Sequence, residues 1–257
     1  MKKKNLPFLI SGIIALAAGI VLVCLTRSAA LAENASTSAT VFFALSLILA
    51  IVGLVVLVIG LLPERRPADV RTLVTADMFA ALCYIGFAFF RIDIPVGTEK
   101  TAFHLGNVFC VLAALFLGGF WGGMAGAVGM TVADLTTAYV TSAPKTFLLK
   151  LCIGLIVGLV AHKVFRLNRD TQRKVPLTVA TVLSCAAGMA FNIVADPLVG
   201  YFYKMYVLGV PQKAATIWAK MGAVTTAVNA VIAVIATSVL YLALRKPLKR
   251  TRLLPEI

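Results

Sequence analysis

Long apolar blocks separated by short polar loops set the pattern of this chain. The blocks are Pro7–Leu25, Thr40–Leu62, Leu73–Phe90, Leu105–Leu117, Trp121–Tyr139, Phe147–His162, Leu177–Asp196 and Trp218–Leu244. A predominantly apolar run of about 18 residues or more is long enough to cross a bilayer as a helix. The fourth and sixth blocks are shorter, but the polar loops flanking them must be joined across the membrane. The pattern therefore predicts eight transmembrane helices and an all-α integral membrane protein.

The segment Pro63-Glu64-Arg65-Arg66-Pro67-Ala68-Asp69 is the clearest break. Two prolines and four charges end one helix and delay the next. Between Val41 and Leu62 no charged or amide residue occurs, whereas the later blocks carry polar residues inside them. This divides the chain into an accessory two-helix hairpin (1–62), a cytoplasmic linker (63–72), a six-helix functional domain (73–245) and a basic cytoplasmic tail (246–257).

Charge orients the chain. With the N-terminus inside, sixteen Lys and Arg fall in cytoplasmic segments: Lys2–Lys4, the group around Arg65, the loop from Lys163 to Lys174, and the stretch after Leu244. Six fall on the outer side: Arg27, Arg91, Lys100, Lys145, Lys204 and Lys213. This bias over short loops places both termini in the cytoplasm. The N-terminal basic cluster, apolar stretch and Ala30-Leu31-Ala32 also resemble a signal peptide, but the stretch is long for one, so an uncleaved helix is expected.

Polar residues inside spans are costly and are functional candidates by default. At ~1.5 Å rise per residue, Asp134 lies ~20 Å up its span and Lys150 only ~9 Å below the outer surface. His104 and Asn107 start an outer helix end, Asn192 and Asp196 finish another, and Lys220 begins the last span. Seven groups from five helices thus share one level in the outer half, while the inner half holds Asp77 near its edge and little else. That asymmetry predicts a polar pocket open to the outside and closed below by apolar packing; a water-filled channel needs polar lining through its whole depth. Asn229 is expected as a helix–helix hydrogen bond or a pocket residue, Lys145 and Lys204 as interfacial, and Asp134 with Lys150 as either an ion pair or ligand contacts.

Composition removes other classes. The chain is 61% hydrophobic and 13% charged, against about 25% charged in soluble domains. No polar stretch is long enough for a fused ATPase or nucleic-acid-binding domain, and the +14 net charge follows from the positive-inside bias rather than from nucleic acid. The five cysteines lie in apolar blocks with no CxxC and read as core residues. No HExxH or GxSxG motif suggests an enzyme, no metal site or bound cofactor is expected, and the glycine run from Gly118 to Gly129 has no GK[ST] after it. Those glycines, with Gly154 and Gly158, give GxxxG spacings for close helix approach. Thr72, Ala76 and Ala80 form a small-residue stripe on the first functional helix.

Four linked runs carry a resemblance. They are Phe103-His104-Leu105-Gly106-Asn107, the run Leu115-Phe116-Leu117-Gly118-Gly119-Phe120-Trp121-Gly122-Gly123, Ala133-Asp134-Leu135, and Ala143-Pro144-Lys145-Thr146-Phe147-Leu148-Leu149-Lys150. Over about residues 70–245 the chain resembles the S components of energy-coupling factor (ECF) transporters, closest to the riboflavin-type branch. The resemblance implies a six-helix, non-enzymatic subunit that binds a vitamin or vitamin precursor of the riboflavin, hydroxymethylpyrimidine or pyridoxine class from outside. It also implies partners: a transmembrane T component and two ATPases, which use ATP. Docking through an AxxxA motif on the first helix would fall on Ala76 and Ala80. Residues 1–62 depart from the typical family pattern.

The expected substrate-binding residues are His104, Asn107, Asp134, Tyr139, Lys150, Asn192, Asp196 and Lys220. Tyr139 would stack on an aromatic ring, Asp134 would meet an amine or ring N–H, and Lys150 a carbonyl or hydroxyl. The loop from Arg91 to Phe103 would act as a lid. The alternative is a self-contained secondary transporter of a small heteroaromatic solute, which favours polar groups on both sides of the midplane and paired broken helices.

Overall fold

A computed structural model describes residues 6–30, 42, 46, 49, 53, 69–97, 99–168 and 175–250. Most of the expected second span, Thr40–Leu62, and the end of the basic tail lie outside the described residues. The chain forms two compact units, Met1–Glu64 and Arg65–Ile257. In the first, α1 (Leu6–Ala30) is one long apolar helix. A side chain at Gly53 would run into the backbone of Ala15 and Leu16, so a glycine is what lets that part of the chain approach α1 so closely.

The second unit holds α2 (Val70–Ala88), β1 (Arg91–Val96), β2 (Glu99–His104), α3 (Gly106–Leu135), α4 (Ala143–Gly158), α5 (Leu177–Phe202) and α6 (Gln212–Arg250). Single π-helical turns extend α4 to Val164 and α5 to Val207. Five of these helices, with those extensions, are long and apolar enough to cross a membrane.

The fourth and fifth expected spans are the two arms of α3. Gly118 sits between them at φ 81, ψ 171, a conformation essentially open to glycine alone. There the chain doubles back. Gly122 meets the backbone of Ala113 and Ala114, Gly126 meets Cys110, and Gly106 meets the Met130 side chain. These pairings place the arms 106–117 and 119–135 antiparallel, so six segments traverse this unit.

The second arm is glycine-lined on its other contacts as well. Gly119 abuts Gly158, Gly123 abuts Gly154, and Gly129 abuts the Ala80 carbonyl. Lipid tails are as apolar as leucine, so close backbone packing of this kind replaces the hydrophobic drive of a soluble core. The outward surface is correspondingly apolar: on α6, Val224, Val228, Val231, Ile235 and Val239 are all exposed, and their spacing of three and four puts them on one helix face.

Aromatic rings seal the centre below the polar level. Phe116 stacks on Phe79 at 6.1 Å and meets Tyr241 at 4.8 Å, between ring centroids. Near the C-terminal end of α6, the buried Arg245 guanidinium donates to the Leu167 carbonyl at 2.7 Å.

The expected lid loop is a two-stranded antiparallel hairpin pairing Arg91 with His104 through Val96 with Glu99. Gly97, at φ +64, supplies the positive φ that a two-residue hairpin loop requires. The alternation is masked in the sequence by Pro95 and by four charges, Arg91, Asp93, Glu99 and Lys100.

Candidate functional site

The hairpin, the ends of α2 through α6 nearest it and the turn at Tyr139 enclose a polar cavity of about 140 Å³. Of the eight expected binding residues, His104, Asn107, Asp134, Tyr139, Lys150, Asn192 and Asp196 line it. Lys220 does not. It is exposed, because the inward face of α6 follows Trp218, Ala219, Gly222, Thr225, Thr226 and Asn229 and helical periodicity turns position 220 away from it.

The floor is a buried polar contact. Lys150, on α4, donates to Asn107 Oδ1, on α3, at 2.8 Å, and both side chains are buried. The cation is held between helices rather than in an ion pair with Asp134. Among the described residues the ion pair in the cavity joins Lys145 to Asp196 at 2.8 Å, and Thr226 donates to the other Asp196 oxygen at 2.8 Å. Lys145 was read as an interfacial residue; its ammonium is instead bound within the wall, and its side chain is 14% exposed. Its position five residues before Lys150 on the same helix, just after Pro144, is the available signal.

Asn229 does not join two helices. Its amide donates to the Ala102 carbonyl at 2.9 Å and its Oδ1 accepts from the His104 backbone N–H at 3.1 Å. It therefore fastens β2 to α6. Thr101 and Thr225 share a hydroxyl bond at 2.7 Å, and Trp218 Nε1 donates to the Val96 carbonyl at 2.9 Å. These contacts lay the hairpin across the cavity. Trp218, also covered by the Lys204 ammonium at 4.3 Å from its ring centroid, was not among the expected site residues. Its signal is an indole near the start of an apolar span, where one polar edge needs a partner.

Tyr139 sits past the end of α3, beside the short 3-10 turn Val140–Ser142. Its hydroxyl donates to Asp93 at 3.0 Å, and its ring meets Phe87 edge-on at 5.5 Å between centroids. Arg91 bonds the same carboxylate at 3.1 Å and lies over both rings. Burial, with the neighbouring Asp93 carboxylate adding to it, raises the phenol above its ordinary range. Tyr139 thus holds the base of the hairpin while one side of it reaches the cavity.

Three buried polar atoms in the wall have no partner: Asp134 Oδ2, Asn192 Oδ1 and His104 Nδ1. His104 packs edge-on against Phe87 at 4.7 Å, and burial, reinforced by the Lys150 charge, lowers its pKa to about 3. It is a neutral imidazole at physiological pH. Leaving such groups unpaired in a buried wall is unfavourable by about 1–3 kcal/mol each, so their presence marks the surface that a bound molecule completes. Among the described residues no group of His, Cys, Asp and Glu is arranged to hold a metal ion.

The small-residue stripe has a different place. Ala76 is buried, and Ala80 turns its carbonyl to Gly129 of α3. Ala80 thus packs on the chain's own second arm within this unit.

Comparison with curated proteins and with solved structures gave no match. Comparison with protein families matched residues 68–246 to the family described as ECF-type riboflavin transporter, S component. The match spans all six traversing segments and every wall of the cavity. The chain therefore belongs to the S components of ECF-type transporters, the non-enzymatic, vitamin-binding membrane subunits of these importers.

Proposed function

We propose that this chain captures riboflavin, or a smaller heteroaromatic vitamin of the hydroxymethylpyrimidine or pyridoxine class, from outside the cell. It then passes the ligand inward with a transmembrane T component and two ATPases. The observation that carries this reading is the set of unpaired atoms in the cavity wall. Asp134 Oδ2 and Asn192 Oδ1 are acceptors without donors, which suits a heteroaromatic edge bearing N–H. Lys150 and Asn107 can donate to ring carbonyls. The Trp218, Phe87 and Tyr139 rings give an aromatic ligand its contact surface, and the Thr101, Thr225 and Thr226 hydroxyls near the mouth suit a polyhydroxyl chain. Riboflavin has all three features: an imide edge, a fused aromatic system and a polyol tail.

Charge supports the orientation. The end opposite the cavity carries Lys163, Arg166, Lys246, Lys249 and Arg250, so the positive-inside bias puts that end in the cytoplasm and the cavity outside. The test is a titration of the purified protein with riboflavin, hydroxymethylpyrimidine and pyridoxine, read by Trp218 emission in a Trp121→Phe background. Saturable quenching by one of them supports the reading, with riboflavin expected tightest. Silence towards all three, in a protein that melts cooperatively, would refute it.

A further inference from the structure

We propose that α5 and α6 bind one anionic phospholipid, with an acyl chain seated in the groove between them and the phosphate held by Lys246, Lys249 and Arg250 at the C-terminal end of α6. The groove shares no lining residue with the vitamin cavity. The proposal does not depend on which vitamin is bound.

The groove is a hollow of about 250 Å³ between two membrane-crossing helices. Ala186 and Ala190 of α5 line one side and Val231 and Ile235 of α6 the other, with Met189 and Ala230 buried beneath. The alanines leave the room, since branched side chains there would close it. Ala190, Val231 and Ile235 are exposed, so the hollow opens towards lipid rather than into the protein. Every side chain lining it is apolar. Water does not fill such a space; hydrocarbon does.

Positive charge lies at the depth a headgroup requires. Lys246 is eleven residues beyond Ile235 on α6, which is ~16 Å along the axis, and it returns to within about 20° of the same face. Half of the hydrocarbon core is about 15 Å thick, so a phosphate at Lys246 places the far part of its chain at Ile235. The path between them is apolar: Val239 on α6 and Leu183 on α5 are both exposed. Lys249 and Arg250 follow within the next turn, one to either side of Lys246. All three cations are exposed, and α6 contains no acidic residue. Arg245, one position earlier, is buried and fastened to the Leu167 carbonyl at 2.7 Å, which fixes the rotation of this helix end and keeps Lys246 outward.

The occupant must answer both the apolar hollow and the charge. A neutral lipid fills the hollow and leaves the three cations unanswered. A second copy of this chain, meeting this face across a two-fold axis along the membrane normal, brings Lys246 against Lys246. A basic cluster beside a membrane helix attracts anionic headgroups, and a phospholipid carries its chain and its phosphate at the spacing found here.

The experiment is native mass spectrometry of the full-length chain in a neutral detergent. It is offered phosphatidylglycerol or phosphatidylcholine with the same two chains at equal concentration. Wild type is expected to retain one phosphatidylglycerol at least tenfold over phosphatidylcholine. The double variant Lys246→Gln, Lys249→Gln is expected to lose that preference, and Ala190→Leu, which fills the hollow, to lower phosphatidylglycerol retention at least fivefold. All these positions are exposed, so each variant is expected to melt with wild type when no lipid is added; Val231→Phe fills the hollow from the α6 side and replaces Ala190→Leu if that variant melts early. Retention of the two lipids within twofold of each other by wild type would overturn the proposal. So would loss in the lysine variant alone, with the filled hollow behaving as wild type, because that is headgroup attraction without a seated chain. A dimer of this chain that Ala190→Leu converts to monomer would assign the groove to a second copy and overturn it as well. Failure of riboflavin to bind, with lipid selectivity retained, would refute the vitamin reading and leave the lipid site standing.

Discussion

Lys150 and Asn107 meet at 2.8 Å between α4 and the first arm of α3, with both side chains out of contact with water. A buried ammonium needs several hydrogen-bonding partners, and Asn107 Oδ1 supplies one. The remaining donors lie at the cavity, where a ligand carbonyl would take one. Lys150→Met keeps the length and removes the donors. Hydrogen bonds to a charged group contribute about 1.5–3 kcal/mol, so the expected effect is a roughly 10- to 100-fold rise in riboflavin Kd, with melting temperature retained or raised because a buried charge is gone. Titration of the variant by flavin fluorescence checks this. Unchanged affinity would remove Lys150 from the ligand contacts.

Glycine packing carries the α3 reversal, and Gly126 is one of the positions that tests it. A Cβ there would overlap the Cys110 side chain and come within 3.4 Å of the Cys110 backbone. Gly126→Ala is therefore expected to wedge the two arms apart. Overpacking of a tight interior is typically unfavourable by about 1–3 kcal/mol, seen as a lower melting temperature in detergent. Gly222→Ala is the control, since a Cβ at Gly222 meets nothing within 4 Å. Equal melting temperatures for the two variants would show that the arms are not packed this closely.

The level of the site was legible in the sequence because polar residues in apolar blocks are rare and depth follows from helical rise. His104, Asn107, Asp134, Lys150, Asn192 and Asp196 were placed together on that basis alone. Partnerships were not legible. Depth says nothing of azimuth, so Lys220 groups with the cavity by depth although it turns outward, and neither the ion pair with Asp134 nor the ligand contact that the sequence leaves open for Lys150 points to its bond with Asn107. Lys145 was lost because an interfacial lysine and a wall lysine have the same sequence signature. The two arms of α3 were legible as two spans, since Gly118 and Gly119 interrupt an apolar run. The hairpin over the cavity was not, because its strands are stabilised across the chain by Trp218, Thr225 and Asn229 rather than by their own alternation.

His104 gives a pH signature outside the spans. Its folded pKa is lowered to about 3 by burial, with the Lys150 charge adding to the effect, while an unfolded histidine titrates near 6.5. The unfolded chain therefore takes up a proton that the folded chain refuses as pH falls below about 6.5. Stability is lost in that direction by up to about 1.4 kcal/mol per pH unit. From pH 7 to pH 5 the melting temperature of wild type should fall more steeply than that of His104→Gln, whose side chain does not titrate. Riboflavin affinity should stay flat over the same range as far as His104 is concerned, because the imidazole remains neutral. Superimposable melting profiles for wild type and His104→Gln would show that position 104 is not buried from protons.

Asp196 ties three helices at the cavity mouth. One oxygen holds Lys145 of α4 at 2.8 Å, and the other accepts from Thr226 of α6 at 2.8 Å. The carboxylate side chain is 25% exposed and the lysine 14%, so the pair is screened far less than a surface salt bridge but is not fully desolvated. Asp196→Ala leaves the Lys145 ammonium without its counter-charge in the wall, and Lys145→Ala leaves the carboxylate. Each single change is expected to raise riboflavin Kd several-fold, through distortion of the wall as well as altered charge. The double variant should be less impaired than the sum of the two, since removing both partners leaves no unpaired charge. A double-mutant cycle on Kd isolates that term, expected at about 0.5–1 kcal/mol for groups in direct contact whose single losses are several-fold. Asp196→Ala in a Thr226→Val background should likewise fall short of additivity, because the two share one carboxylate. Strictly additive losses in both cycles would mean that Lys145 and Thr226 act on the ligand independently of Asp196, and that the three-helix tie does not set the shape of the mouth.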